Sequence, residues 1–124
     1  MKQAVLIILA LFLTATAALA AAKEISSTEA QAMLAKNKQL FLLDVRTPEE
    51  YRQAHIRDAR LIPITELERR IGEIPKDRTV IVYCAVGSRS RSAVGLLAQR
   101  GIRDLYTMKD GIVGWYRNGY PVDR

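Results

Sequence analysis

Val80-Ile81-Val82-Tyr83-Cys84-Ala85-Val86-Gly87-Ser88-Arg89-Ser90 is the stretch on which the reading of this chain turns. Its first four residues are apolar or aromatic, of the types that favour strands. An unbroken apolar run predicts a strand covered on both faces. The run ends at the only cysteine in the chain. Gly87 permits a positive φ and close backbone approach, and Ser88 and Ser90 are natural helix N-caps. A helix is expected from about Arg91 to Arg100, with Ala93, Val94, Leu97 and Ala98 on one side and Gly101 as its stop.

This geometry has consequences for the thiol. A cysteine at the C-terminal end of a buried strand, beside a helix N-terminus, faces backbone N–H groups that lack helical partners. Successive loop N–H groups form a concave nest for an anion. The helix dipole favours negative charge there by up to ~2 kcal/mol, or ~1.5 pKa units at ~1.36 kcal/mol per unit. A thiol of ordinary pKa ~8.5 would then titrate near ~7, and the loop N–H groups and Arg89 would lower it further. The competing reading is an inert core cysteine, since free Cys is among the most buried residue types. The Gly87-Ser88-Arg89-Ser90 that follows is no core sequence.

Working outward, Leu40-Phe41-Leu42-Leu43-Asp44-Val45 reads as a second buried strand. After it, Thr47 is an N-cap, Pro48 suits the first helical position, and Glu49 and Glu50 suit the first turn. Upstream, Ser26-Ser27-Thr28-Glu29 contains a capping box opening a helix to about Lys36, with Ala30, Met33 and Leu34 inward. Downstream of Asp44, Leu61–Ile64 is a short extended segment, Glu66 to Ile71 a brief helix, and Asp104–Met108 another strand. Helices alternating with short apolar strands predict an α/β fold, a central parallel sheet with helices on both faces. In such sheets reactive groups lie beyond the carboxyl ends of strands, where Cys84 and Asp44 fall.

Cys84-x-x-Gly87-x-Arg89-Ser90 resembles the active-site loop of the rhodanese family of sulfurtransferases. Asp44-Val45-Arg46 and its acidic helix resemble a second signature of that family, and Gly111 to Pro121, with Trp115, its C-terminal one. Members usually continue the second signature with Gly-His-Ile and Pro-Gly-Ala; this chain has Ala54-His55-Ile56 and Arg57-Asp58-Ala59. The resemblance spans roughly Ser26 to Val122. It implies a rhodanese-like fold and covalent catalysis in two displacements, without metal or cofactor. Cys84 would take the outer sulfur of a donor such as thiosulfate as a persulfide and pass it to cyanide or a thiol. Ala85, Val86, Gly87, Ser88 and Arg89 would bind the anion, with the Arg89 guanidinium able to fork onto an oxyanion.

Several residues keep a second reading beside the functional one. Arg89 has as its lesser reading a solvent-facing charge or a strut that fixes the loop. Asp44 and Arg46 could brace the loop or line the pocket mouth. His55, the only histidine, is expected to anchor its own turn, since nothing brings it to Cys84 for a protease-like pair. Arg91 is expected at the surface and Trp115 in the core. One Cys and one His cannot supply a structural zinc site. A relay that hands sulfur to a partner protein with little free turnover is the alternative function. A phosphatase or arsenate reductase is disfavoured by the loop, because tyrosine-phosphatase-type loops place one residue more between cysteine and arginine.

The N-terminus has a basic start at Lys2, an apolar centre from Ala4 to Leu13 and a small-residue end. That is the pattern of a secretory signal peptide, 1–20 with cleavage after Ala20, or to Ala22. The remaining 23–124 form a single domain, and the expected location is the periplasm. Left uncleaved, the uncharged span from Gln3 to Ala22 is just long enough to anchor the protein in a membrane. A lone thiol in an oxidising compartment is a residue to flag as reactive. The formal charge of +6 is dispersed, apart from Arg89 and Arg91 around the cysteine loop. The distribution suits drawing in small anions and gives no sign of nucleic-acid binding.

Overall fold

The computed structural model describes residues 22–124. The expected leader and its cleavage site after Ala20 lie outside the described residues. Five strands form one parallel sheet: β1 (Lys23–Ile25), β2 (Phe41–Asp44), β3 (Arg60–Leu61), β4 (Val80–Tyr83) and β5 (Leu105–Met108), in the order β1-β5-β4-β2-β3. Three helices connect strands, α1 (Ser27–Lys36), α2 (Pro48–Gln53) and α3 (Ser88–Gln99), and α4 (Gly111–Arg117) follows β5. The strand quoted at the outset is therefore central.

Strand alternation explains why its apolar run is unbroken. Val80 and Val82 pack on one face with Leu43, Val45 and the Ala93, Val94 and Leu97 side of α3. Ile81 and Tyr83 pack on the other with Leu42, Ala30 of α1, and Ile112 and Trp115 of α4. Side chains two residues apart share a face, so Cys84 continues the Val80–Val82 face and packs in the α3 cluster. The register pairs Asp44 with Tyr83, which sets the ends of β2 and β4 side by side.

The helix starts follow their caps. Ser26 and Thr47 each form a full capping box, with Glu29 and Glu50. The start of α3 differs from expectation: it begins at Ser88, and its cap is Gly87 at φ 102° with no side-chain cap bond. Neither Ser88 nor Ser90 is the cap, because the first N–H groups of this helix are turned toward a sulfur atom, as described below. The helix expected from Glu66 to Ile71 is instead a pair of 3₁₀ turns, Ile64–Glu66 and Ile71–Glu73. Bonds such as Glu66 N to Pro63 O and Glu73 N to Arg70 O close i to i−3. The tighter winding rises ~2.0 Å per residue against ~1.5 Å, so a short segment between two prolines covers more of the distance back to β4. In the turn where the family places glycine, Asp58 takes φ 66°, a conformation Asp tolerates better than most residues.

Candidate active site

Residues 84–90 wrap one sulfur atom. The Gly87 N–H donates to Cys84 Sγ at 3.2 Å and the Ser90 N–H at 3.4 Å. The Ser90 hydroxyl stands 3.6 Å from the same sulfur. Cys84 and Ser90 are fully buried, Val86 is 61% exposed, and Ser88 is exposed at the start of α3. Burial pushes the Cys84 thiol up, but hydrogen bonds from the Ser90 backbone and hydroxyl and from the Gly87 and Val86 backbone outweigh it. The net direction is down from the ordinary thiol value. The Gly87 and Ser90 N–H groups thus converge on the sulfur, as a nest requires.

The loop is aimed from behind by α4. Ile112 N donates to the Cys84 carbonyl at 2.9 Å, and Val113 N to that of Ala85 at 3.1 Å. In a trans peptide the following N–H points opposite to the carbonyl. With both carbonyls turned to α4, the N–H groups of Ala85 and Val86 point away from it. This contact depends on Gly111, whose φ is 60° and where a Cβ would stand 2.7 Å from the Cys84 carbonyl oxygen. Gly87 is equally constrained, since a Cβ there would stand 2.9 Å from the Lys109 carbonyl carbon.

Behind the sulfur lies a buried hydroxyl pair. Thr107 on β5, 2% exposed, donates to Ser90 Oγ at 2.9 Å, and Ser90 donates to the Gly87 carbonyl at 3.1 Å. Thr107 thereby occupies a Ser90 lone pair and leaves the Ser90 proton for the loop. Sequence reading missed Thr107; its one signal is a hydroxyl in the otherwise apolar Leu105–Met108 run.

The charged residues form a chain of pairs. Asp44 is fully buried and Arg46 is 5% exposed. Arg46 Nη2 donates to Asp44 Oδ2 at 2.7 Å and to the Ala54 carbonyl at 2.6 Å, and Nε to Asp44 Oδ1 at 3.0 Å. Burial would weaken the Arg46 charge, yet its bonds to Asp44 hold it firmly protonated. The guanidinium also lies 5.6 Å over the Tyr83 ring, and Tyr83 Oη accepts from Ile56 N at 3.2 Å. Asp44 and Arg46 therefore brace the turn after β2, and Arg46 also lines a pocket described below.

Arg89 forks, but onto protein. Its Nη1 and Nη2 donate to Glu50 Oε1 and Oε2 at 2.7 and 2.9 Å, so α3 is clamped to α2. Hydrogen bonds from Arg89 hold the Glu50 carboxyl down at about 2. The Arg89 charge is favoured first by Glu50 and then, through space, by Cys84 and Asp44. Sequence reading placed Glu50 in a helical first turn and gave no sign that it would be the partner of Arg89. Arg91 reaches Glu24 at the surface instead. His55 stacks on Tyr51 with ring centroids 3.8 Å apart, and its Nδ1 meets the Tyr51 carbonyl at 2.9 Å. It also exchanges backbone bonds with Asp123, so it anchors its own turn.

A model of the rhodanese-like domain matches residues 26–118. The chain belongs to the rhodanese family. A sulfurtransferase of Allochromatium vinosum is 39% identical over 99 residues, covering 80% of this chain and 92% of that protein. The thiosulfate sulfurtransferase GlpE of Vibrio cholerae is 29% identical, covering 76% of this chain and 88% of its own. Among solved structures, a rhodanese-related protein of Thermoplasma volcanium matches with TM-score 0.74 at 33% identity, covering 82% of this chain and 97% of that one. The rhodanese loop described above is thus seated in a rhodanese fold, and this chain's class of chemistry is sulfur transfer.

Proposed function

We propose that this rhodanese is an exported thiosulfate sulfurtransferase working through a persulfide on Cys84. The observation that carries the reading is the pair of N–H bonds from Gly87 and Ser90 to Sγ, which favour the thiolate over the thiol. The thiolate attacks the outer sulfur of thiosulfate. A new bond joins Sγ to that sulfur, the donor S–S bond breaks, and sulfite leaves with the electron pair. Cyanide or a thiol then takes the outer sulfur and returns Cys84 to the thiolate.

In this reading the N–H groups of residues 85–87 and the exposed start of α3 at Ser88 receive the anion. Arg89 contributes positive charge from its position on Glu50, and a fork onto the donor requires Glu50 to yield it. The leader of residues 1–20 directs the chain to the periplasm. The reading is tested by thiocyanate formation from thiosulfate and cyanide. Activity in the wild type and its loss in Cys84→Ser are expected; equal turnover in the two overturns the reading. Stable loading of Cys84 with negligible turnover on free acceptors would instead mark a carrier for a partner protein.

A further inference from the structure

Beside the cysteine loop lies an apolar pocket of about 340 Å³. One wall is Ala85, the residue after Cys84, and the others include Ala54, Ile112, Val113, Tyr116 and Val122. Of its three ionised lining residues, two are already committed, Arg46 to Asp44 and Glu50 to Arg89; the third, Arg117, is exposed to solvent at the end of α4. Tyr116 on this pocket is 62% exposed, and Val86, next along the loop from Ala85, is 61% exposed; these are the large apolar side chains that stand out in solvent among the described residues. The α4 helix that supplies Ile112, Val113 and Tyr116 is the same one that fixes the cysteine loop through Ile112 N and Val113 N.

The donor does not suit this space. A small oxyanion loses hydration against the mostly apolar walls, where Gln53 and the solvent-exposed Arg117 are side-chain donors not already committed, and cyanide or thiosulfate would leave most of the volume empty. The volume falls within the ~300–1,000 Å³ of organic-ligand sites, which are largely apolar with a few polar groups. We propose that the pocket is an acceptor subsite for an organic thiol whose apolar carbon arm packs against Tyr116, Val113 and Ala85. The acceptor sulfur then attacks the outer sulfur of the Cys84 persulfide. A bond forms between those two sulfurs, the bond from the outer sulfur to Sγ breaks, and its electron pair returns to Sγ as the thiolate. The proton of the acceptor thiol is lost to solvent before attack. This step rests on the persulfide reading above.

The test uses the full chain loaded with thiosulfate. Loading is read first, as a gain of one sulfur atom in intact mass. Discharge is then timed with benzyl mercaptan and with 2-mercaptoethanol, each rate normalised to thiolate concentration. A filled apolar subsite predicts a rate ratio of about 10 in favour of benzyl mercaptan, the discrimination a few buried carbons give. In Tyr116→Ala the ratio falls at least threefold, by order of magnitude, and Tyr116→Phe retains it. A ratio near one in the wild type, or a ratio unchanged in Tyr116→Ala, overturns the subsite while leaving the persulfide reading intact. Failure to load overturns both.

Discussion

Removing the hydroxyl of Ser90 perturbs the sulfur while its two backbone N–H donors stay in place. In Ser90→Ala the 3.6 Å contact to Sγ is lost, while the Gly87 and Ser90 N–H bonds remain. The one Ser90 proton rests on the Gly87 carbonyl and must turn to reach the thiolate, so the change removes at most the low end of the ~1.5–3 kcal/mol that a hydrogen bond to a charged group contributes. The Cys84 thiol therefore rises, since one of the contacts that favours its thiolate is gone. The same change strands one buried group: the Thr107 hydroxyl loses Ser90 as partner, while the Gly87 carbonyl keeps the Arg91 N–H at 3.2 Å. Stability should fall by about 2 kcal/mol, within the range for an unsatisfied buried polar group. The thiol is assayed by the pH dependence of its alkylation by iodoacetamide, and stability by urea unfolding. The expected result is an alkylation midpoint shifted to higher pH in a protein that still folds. A midpoint unchanged or lower would refute the account of how the loop tunes its sulfur.

Other perturbations follow from the same contacts. Asp44→Asn leaves the Arg46 guanidinium buried without its counter-charge and should destabilise by about 3–5 kcal/mol; a shift in urea midpoint worth under about 1 kcal/mol would argue against a bracing role. Gly111→Ala drives a Cβ into the Cys84 and Ala85 carbonyls at a positive φ; a loss of about 2–3 kcal/mol is expected by thermal melting, and a wild-type melt with normal sulfur loading would contradict it. Glu50 has its folded pKa held down at about 2 by Arg89. A depressed carboxylate contributes stability above its unfolded pKa, and that stability is lost as pH falls from about 4.5 towards about 2. Because both partners are about one-third exposed, solvent screening reduces the contribution to ~1 kcal/mol. The wild type should therefore lose its stability advantage over Glu50→Gln across that window, and parallel acid-melting curves would count against the clamp.

The sheet was legible because β2, β4 and β5 carry their burial in their composition. The Val80–Tyr83 run has no polar residue to place on a solvent face, so a strand covered on both sides is the only comfortable reading. Ser26 and Thr47 were legible as caps because each has its glutamate three residues on. The start of α3 was not. Ser88 and Ser90 look like caps to any local rule, yet the acceptor for the Gly87 and Ser90 N–H groups is Cys84, six residues before Ser90 and brought there by the turn. The pairing of Arg89 with Glu50 and of Ser90 with Thr107 was equally hidden. Each joins side chains from different elements, and no short-range pattern encodes which carboxylate or hydroxyl will be opposite. β1 is too short for periodicity to register, and it is a strand because β5 offers it an edge.

The most direct test of the central claim is the intact mass of the protein after incubation with thiosulfate. If backbone N–H groups hold Cys84 as a sulfur-accepting thiolate, the mass rises by one sulfur atom at Cys84. The added sulfur departs as thiocyanate on adding cyanide, and Cys84→Ser gains nothing. An unchanged mass in excess thiosulfate, from a folded protein whose thiol still alkylates, would contradict the account.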